Sequence, residues 1–173
     1  MYQKSILRKK YLNLRKRKYC AINKEFFDSF LSFVKSNFKK KNLNLALYYP
    51  TSFEINVLKI LENKSMIDKN ILLPVIEKNN VMNFFSWKKN NVLLVNKFGI
   101  LEPVKSKIKI PDIILVPILA FDRNKCRLGY GKGFYDRYLN KYLKKFSNIL
   151  TVGVAFSFQK HHKLSLIHIS EPT

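Results

Sequence analysis

Three glycines separated by single residues, Gly129, Gly131 and Gly133, are the strongest chemical signal in this chain, which has only 5 glycines among 173 residues. They lie between an apolar run and a run with helical spacing, and charged side chains flank them. Glycines so spaced let successive backbone N–H groups converge on an anion, because no Cβ stands in the way. The segment 119–138 therefore predicts a phosphate-binding loop.

The charged residues beside these glycines suit phosphate chemistry. Arg127 and Lys132 can balance triphosphate charge, and a helix that begins near Gly133 would add its N-terminal dipole. Asp136 falls in the first turn of that helix, where a carboxylate can bind Mg²⁺ together with phosphate oxygens. The alternative is a tight structural turn in which Asp136 only balances the helix terminus. The spacing lacks the P-loop and dinucleotide fingerprints, so it leaves both interpretations open.

Composition indicates one folded domain. The chain is 47% hydrophobic and 14% aromatic, which excludes intrinsic disorder. No apolar run approaches the roughly 20 residues of a membrane span, so we expect no membrane association. Cys20 and Cys126 stand far apart in unlike contexts, which favours reduced thiols and a cytoplasmic location.

The formal net charge of +22 invites a nucleic-acid interpretation, because lysines neutralise phosphates. Lysine far outnumbers arginine, however, and asparagine and isoleucine are also abundant, as biased base composition would produce. The charges are also spread along the whole chain. We therefore expect a solvated basic surface and no specific nucleic-acid partner, and a basic RNA-associated protein stays as an alternative.

Hydrophobic periodicity predicts alternating helices and strands, and hence an α/β fold with a mainly parallel sheet in a three-layer sandwich. Ligands of such sheets bind at the carboxyl ends of the strands, and the glycine loop follows a strand there. Helices are expected at 4–17, 23–38, 53–62 and 133–146, strands at 43–49, 71–76, 81–87, 113–117 and 149–156, and a turn-rich connection at 98–103.

Two of these segments carry more detailed expectations. The helix 23–38 should bury its apolar face, and the helix after Pro50 should be capped by Thr51 or Ser52. In the strand 81–87, Met82 and Phe84 are candidates for an apolar pocket wall, although such residues more often belong to a core. The aromatic residues expected to be buried on the helix 23–38 are Phe26, Phe27, Phe30 and Phe33, with Leu31 and Val34, while Phe85 and Trp87 of the strand are assigned to the core.

At the glycine loop the sequence resembles the 5-formyltetrahydrofolate cyclo-ligase family. That family carries a segment similar to Pro-x-x-x-Phe-Asp-x-x-x-x-Arg-Leu-Gly-Tyr-Gly-x-Gly-Tyr-Tyr-Asp-Arg, and this chain has Phe134 in place of one tyrosine. Weaker matches in the same order are Lys4-x-x-x-Arg8, Tyr49-Pro50 with Glu54, the turn 98–103 and the strand 151–159. The loop residues that match are Pro117, Phe121, Asp122, Arg127, Leu128, Gly129, Tyr130, Gly131, Gly133, Tyr135, Asp136 and Arg137.

The resemblance implies a Rossmann-like fold of the NagB/RpiA/CoA-transferase-like type and ATP- and Mg²⁺-dependent cyclisation of 5-formyltetrahydrofolate in a cytoplasmic monomer. Arg127 and Tyr135 would be catalytic, and Asp136 would bind the metal. The ATP contacts implied are Lys4, Ser5, Ile6, Leu7, Arg8, Arg127, Leu128, Gly129, Tyr130, Gly131, Lys132, Gly133, Phe134, Tyr135 and Asp136. The folate contacts implied are Tyr49, Glu54, Gly131, Lys132, Gly133, Phe134 and Tyr135.

The C-terminal segment departs from the family. The resemblance ends near Gln159, where the family continues with an Asp-rich stretch, whereas residues 160–173 contain no aspartate. We therefore expect a single domain over 1–159 and an atypical tail over 160–173, truncated or foreign in origin. His161 and His162 are alternative metal ligands. This tail also leaves open a non-catalytic relic that binds nucleotide or folate without turnover.

Overall fold

A six-stranded sheet forms the centre of the computed structural model, which describes residues 2–146 and 148–164. Its strand order is β10-β7-β1-β2-β3-β6, and two short two-stranded ribbons, β4-β5 and β8-β9, flank it. The strands are β1 (Asn44–Ala46), β2 (Asn70–Ile76), β3 (Met82–Ser86), β4 (Leu93–Val95), β5 (Leu101–Pro103), β6 (Ile108–Lys109), β7 (Ile113–Pro117), β8 (Ala120–Phe121), β9 (Arg127–Leu128) and β10 (Leu150–Val154).

The sheet is mainly parallel, as the sequence predicts. Strands β10, β7, β1 and β2 are parallel neighbours, whereas β3 and β6 add antiparallel pairs at one edge. The register pairs Leu45 of β1 with Ile71 of β2 on one side and with Ile113 of β7 on the other. The carboxyl ends of four strands therefore meet at one edge of the sheet.

Helices cover both faces of the sheet. Helix α1 spans Tyr2–Lys18, α2 spans Asp28–Asn37 after a 3-10 turn at Lys24–Phe27, and α3 spans Phe134–Leu143. Alternate residues of the strands point to opposite faces. Leu45 belongs to the core cluster beneath α2, whereas Ala46 belongs to the cluster beneath α3. This arrangement confirms the three-layer α/β prediction.

The predicted helix over 53–62 is wrong in its first part. Helical structure begins only at Val57–Glu62, as a 3-10 turn whose cap is the Asn56 side chain, which accepts from the Leu58 N–H. Ser52 and Phe53 have φ of 47° and 63°, so the backbone before the turn is left-handed. Residues in that conformation cannot belong to a right-handed helix, so the helical segment does not include Ser52 and Phe53.

The apolar face predicted for the second helix also needs correction. Phe27, Leu31 and Val34 are buried, but Phe26 and Phe33 are about half exposed because they lie on the outer side of this helical segment. Alternation in the strand 81–87 predicts that it is half exposed, but in β3 only Ser86 is exposed, because α3 packs on one of its faces.

A third core cluster joins α1 to the β8-β9 ribbon and to the chain beyond Gln159. Tyr11, Leu119 and Leu128 pack there with Leu164. The Leu164 N–H donates to the Asp122 carboxylate at 2.9 Å. Residues 160–164 are thus packed against the domain, and the predicted domain boundary at 159 stays a prediction. Residues 165–173 of the predicted atypical tail lie outside the described residues.

Candidate active site

A cavity of about 510 Å³ opens at the carboxyl ends of β1, β2 and β7. The loop after β1, the turn before β5 and the glycine loop form its walls. Its lining combines apolar side chains with a small number of charged ones, as ligand sites do. The lining residues are Tyr48, Tyr49, Thr51, Ser52, Glu54, Pro74, Ile76, Met82, Phe98, Gly99, Ile100, Glu102, Pro117, Arg127, Gly129, Tyr130, Gly131, Lys132, Gly133, Phe134, Tyr135 and Asp136.

The glycine loop has the backbone that its composition predicts. Gly131 and Gly133 have φ of 97° and 69°, in the region that favours glycine. Arg8 reaches this loop from α1, where its Nε donates to the Gly129 carbonyl at 2.9 Å. A Cβ on Gly131 would stand 3.1 Å from the Arg8 Cζ. The absence of side chains therefore allows Arg8 to lie directly against the loop.

An ion pair joins the two ends of this loop. Arg127, at the start of β9, contacts the Asp136 carboxylate in the first turn of α3. The Arg127 side chain is only 15% exposed, whereas the Asp136 side chain is 47% exposed. Asp136 therefore presents carboxylate oxygen to the cavity, while its charge is partly balanced by Arg127.

Glu54 lies in the opposite wall, and its residue is only 7% exposed. Its Oε2 accepts the Thr51 backbone N–H at 2.7 Å and the Thr51 hydroxyl at 3.3 Å. Its Oε1 accepts the Tyr130 hydroxyl at 2.5 Å. Burial raises the pKa of Glu54, and these hydrogen bonds and the charge of Arg15 oppose that rise.

Tyr135 points its hydroxyl into a buried position without a hydrogen-bond partner among the described residues. Burial, reinforced by the charge of Glu54, raises the pKa of Tyr135 far above its ordinary value, although Arg127 opposes this. The hydroxyl therefore stays protonated. A buried phenol hydroxyl without an acceptor among the described residues is suited to donate a hydrogen bond to a ligand.

The turn before β5 covers the cavity. The Phe98 ring lies 5.5 Å from the Phe134 ring, and the Lys132 Nζ lies 5.5 Å from the centre of the Phe98 ring. Glu102 fastens this turn to β2, because its Oε1 accepts the Ile76 N–H at 2.8 Å. The turn and the glycine loop thus meet across the cavity mouth.

The cavity brings together most, but not all, of the residues predicted for the site. Among the lining residues are Tyr49, Glu54 and the candidate wall residue Met82, whereas Phe84 packs in the core against Tyr138. Leu128 is buried in the third core cluster, and Arg8 reaches the loop without lining the cavity. The remaining predicted residues that do not line it are Lys4, Ser5, Ile6 and Leu7.

Among the residues that sequence reasoning missed at this site are Tyr48, Phe98 and Arg15. Tyr48 and Phe98 line the cavity, and Arg15 lies behind it. Helical spacing could have indicated Arg15, because it follows Leu7 and Tyr11 along the buried side of α1. No comparable sequence pattern signals Tyr48, which ends an apolar run.

The alternative metal ligands are placed elsewhere. His161 contacts the Tyr11 hydroxyl through Nδ1 at 2.9 Å, away from the cavity lining. Within 2–146 and 148–164, no group of three His, Cys, Asp or Glu residues could hold a metal. In the same residues, no helix is both long and apolar enough to span a membrane.

The family model described as "5-formyltetrahydrofolate cyclo-ligase family" matches residues 2–166. The chain belongs to the 5-formyltetrahydrofolate cyclo-ligase family. A cyclo-ligase of this family from Haemophilus influenzae is 32% identical over 136 residues, which are 75% of this chain and 72% of that protein. One from Mycoplasma genitalium is 35% identical over 104 residues, which are 53% of this chain and 61% of that protein.

A solved structure of the cyclo-ligase family supports the same assignment. The NMR structure of Aquifex aeolicus 5,10-methenyltetrahydrofolate synthetase superposes with a TM-score of 0.69 at 33% identity. The match covers 98% of this chain and 86% of that one. The α/β fold is thus the fold of this cyclo-ligase relative, and the family match extends beyond Gln159.

Proposed function

We propose that this chain catalyses the ATP-dependent cyclisation of 5-formyltetrahydrofolate to 5,10-methenyltetrahydrofolate, with release of ADP and phosphate. Membership of the cyclo-ligase family supports this activity. The observation that carries it is one cavity whose walls combine a glycine loop with Glu54 and with the Tyr135 hydroxyl, which has no hydrogen-bond partner in the described part of the chain. One wall suits a polyphosphate, and the other suits a heterocycle that carries N–H donors and polar acceptors.

The glycine loop fits a triphosphate. Its left-handed glycines leave backbone N–H groups accessible, and Arg8, Arg127 and Lys132 surround it with positive charge. Asp136 fits Mg²⁺, because this cation is commonly held by one or two carboxylates together with substrate phosphates. When bound, the cation would neutralise charge on the transferring phosphoryl group.

The opposite wall fits the folate. The Glu54 carboxylate is a hydrogen-bond acceptor at the cavity wall, which matches the ring N–H groups of a pterin. Tyr135 supplies a protonated hydroxyl, a donor for a carbonyl or formyl oxygen. Tyr49 and Met82 add apolar surface that a planar ring can cover.

In the proposed reaction the formyl oxygen attacks the γ-phosphorus of ATP, and ADP leaves. The N10 nitrogen then attacks the activated formyl carbon and loses its proton to solvent or to the departing phosphate, which leaves with the former formyl oxygen. The chain's own residues supply positioning and charge neutralisation. Arg127 would hold the transferring group, and Tyr135 would orient the formyl oxygen by hydrogen bonding.

The test is the purified full chain mixed with 5-formyltetrahydrofolate, ATP and Mg²⁺. We expect the absorbance of the methenyl product to grow with time, and to stay flat without ATP or Mg²⁺. Stoichiometric ADP should accompany it. Thermal stabilisation by both ligands without product would contradict the enzyme and indicate a binding relic. The cytoplasmic location and the monomeric state stay predictions.

A further inference from the structure

Arg15 is a buried cation that the proposed chemistry does not use. It lies on α1 and is only 1% exposed, although arginine is almost never fully buried unless paired. Its Nε and Nη2 have no hydrogen-bond partner among residues 2–146 and 148–164. A guanidinium in such a position is costly, so its charge must be compensated by something nearby.

Tyr130 links Arg15 to the Glu54 carboxylate. The Arg15 Cζ lies 5.3 Å from the centre of the Tyr130 ring, and the Tyr130 hydroxyl donates to Glu54. Arg15 does not line the cavity, whereas Tyr130 and Glu54 do. The three side chains therefore form a layered arrangement, in which the cation lies behind the cavity wall and the carboxylate lies in it.

We propose that Arg15 is a positioning residue, the buried counter-ion that keeps the Glu54 carboxyl ionised and oriented to accept hydrogen bonds from the folate. The identity of this ligand rests on the proposed function, but the coupling between Arg15 and Glu54 does not. Arg15 acts through Glu54 and Tyr130 and touches no substrate atom.

Arg15 differs from the other charged and titratable groups near Glu54. Arg127 and Lys132 line the same cavity, but Arg127 is paired with Asp136 and Lys132 is exposed to solvent. The remaining neighbours are phenols, Tyr48 from the loop after β1, Tyr130 from the glycine loop and Tyr135 from α3, and burial raises the pKa of each tyrosine. These phenols supply no positive charge. Burial likewise raises the pKa of Glu54, and the charge of Arg15 opposes that rise. Without Arg15, protonation of the carboxyl should become easier.

The experiment follows the titration of Glu54 by NMR of ¹³C-carboxyl-labelled glutamate, with E54Q used to assign its signal. R15Q should shift the Glu54 titration to higher pH, and R15K, which keeps the charge, should restore most of the wild-type value. R17Q is the matched control, because Arg17 is an exposed arginine on the same helix and should leave the titration unchanged.

Kinetics add a readout that general damage would not reproduce. In R15Q, kcat/KM for the folate should fall on the order of tenfold at mildly acidic pH, with its acid limb moved to higher pH, while KM for ATP stays at the wild-type value. Absence of turnover in the wild-type chain would refute the proposed function. The NMR titration would still test whether Arg15 lowers the pKa of Glu54.

Two results would overturn the inference. One is a folded R15Q whose Glu54 titrates as in the wild type. The other arises if R15Q does not fold, and it is tested with the double variant R15Q/E54Q. This variant removes both charges, so the inference predicts that it folds. If it also fails to fold, Arg15 serves the packing of α1 and is not a counter-ion.

Discussion

The two ends of the parallel sheet carry positive charge in opposite ways. At the amino ends of β1 and β2, a groove is lined by Lys35, Lys39, Lys41 and Lys69, and most of these lysines are exposed. At the carboxyl ends, a buried arginine, Arg15, stands behind the cavity wall, and a glycine loop leaves backbone N–H groups free to converge.

A high net charge therefore does not reveal where on the molecule an anion would bind. Solvent screens the lysines of the groove, so each contributes little to binding or stability. At the carboxyl ends Arg15, Glu54 and the Arg127 side chain are shielded from water, which makes the charge of each one stronger. The +22 charge is therefore mainly a property of the surface, whereas the proposed chemistry depends on a small number of groups at the cavity.

The largest effect should come from R127Q, because it removes a shielded cation that would hold the transferring phosphoryl group in the proposed reaction. We expect kcat/KM to fall on the order of 100-fold or more in the product-absorbance assay. R123Q is the matched control, since Arg123 is exposed on the same loop. Equal losses in both variants would mean that shielding does not distinguish the two arginines.

D122N should give the next largest effect, on stability. Asp122 supports the glycine loop from behind, and its carboxylate accepts N–H groups from Asn124, Cys126 and Leu164. We expect a loss of about 1–3 kcal/mol at neutral pH in denaturant unfolding, because all three donors lose a charged acceptor and one carboxylate oxygen becomes an amide NH₂.

The pH dependence of that loss has a definite sign. Burial raises the pKa of Asp122, but the three N–H groups that donate to its carboxylate lower the pKa by more than burial raises it. The net pKa therefore lies below the ordinary 3.8. A depressed pKa stabilises the fold above pH 3.8, and this contribution disappears as the pH falls through the folded-state pKa. The gap between wild type and D122N should therefore close in acid, and a gap independent of pH would contradict this origin.

A smaller effect is expected for G131A compared with G99A. Both glycines have positive φ, so each alanine should destabilise the fold by about 1 kcal/mol through strain. A Cβ at Gly131 would press on Arg8, whereas a Cβ at Gly99 meets nothing within 4 Å. Activity should thus fall about tenfold in G131A alone. Equal activity in the two variants would show that contact with Arg8 is not needed.

The smallest effect should follow from neutralising the groove. The quadruple variant K35Q/K39Q/K41Q/K69Q removes four charges at the far end of the sheet. We expect kcat/KM to stay within roughly twofold of the wild type, because these lysines are screened. A large rise in KM for ATP would mean that long-range attraction by the surface lysines guides the nucleotide, and the comparison would fail.

Much of the fold could be predicted because its signals are local. The run 113–117 is apolar throughout and became the buried strand β7, and Gly131 and Gly133 after it adopt the left-handed backbone that glycine favours. The start of the segment 53–62 could not be predicted. There the bonds between Glu54 and Thr51 accompany a left-handed turn at Ser52 and Phe53, so the predicted helix does not form.

The sequence by itself determined the alternation of helix and strand, the position of the glycine loop and the family. Each of these features depends on residues that are contiguous or closely spaced in the chain. Only the tertiary structure decided which charges matter. Arg15 looks like the other bases of α1, and it becomes unusual only when distant segments bury it beside Glu54 and Tyr130. Burial changes the energy of a charge, and burial depends on contacts between residues far apart in the chain.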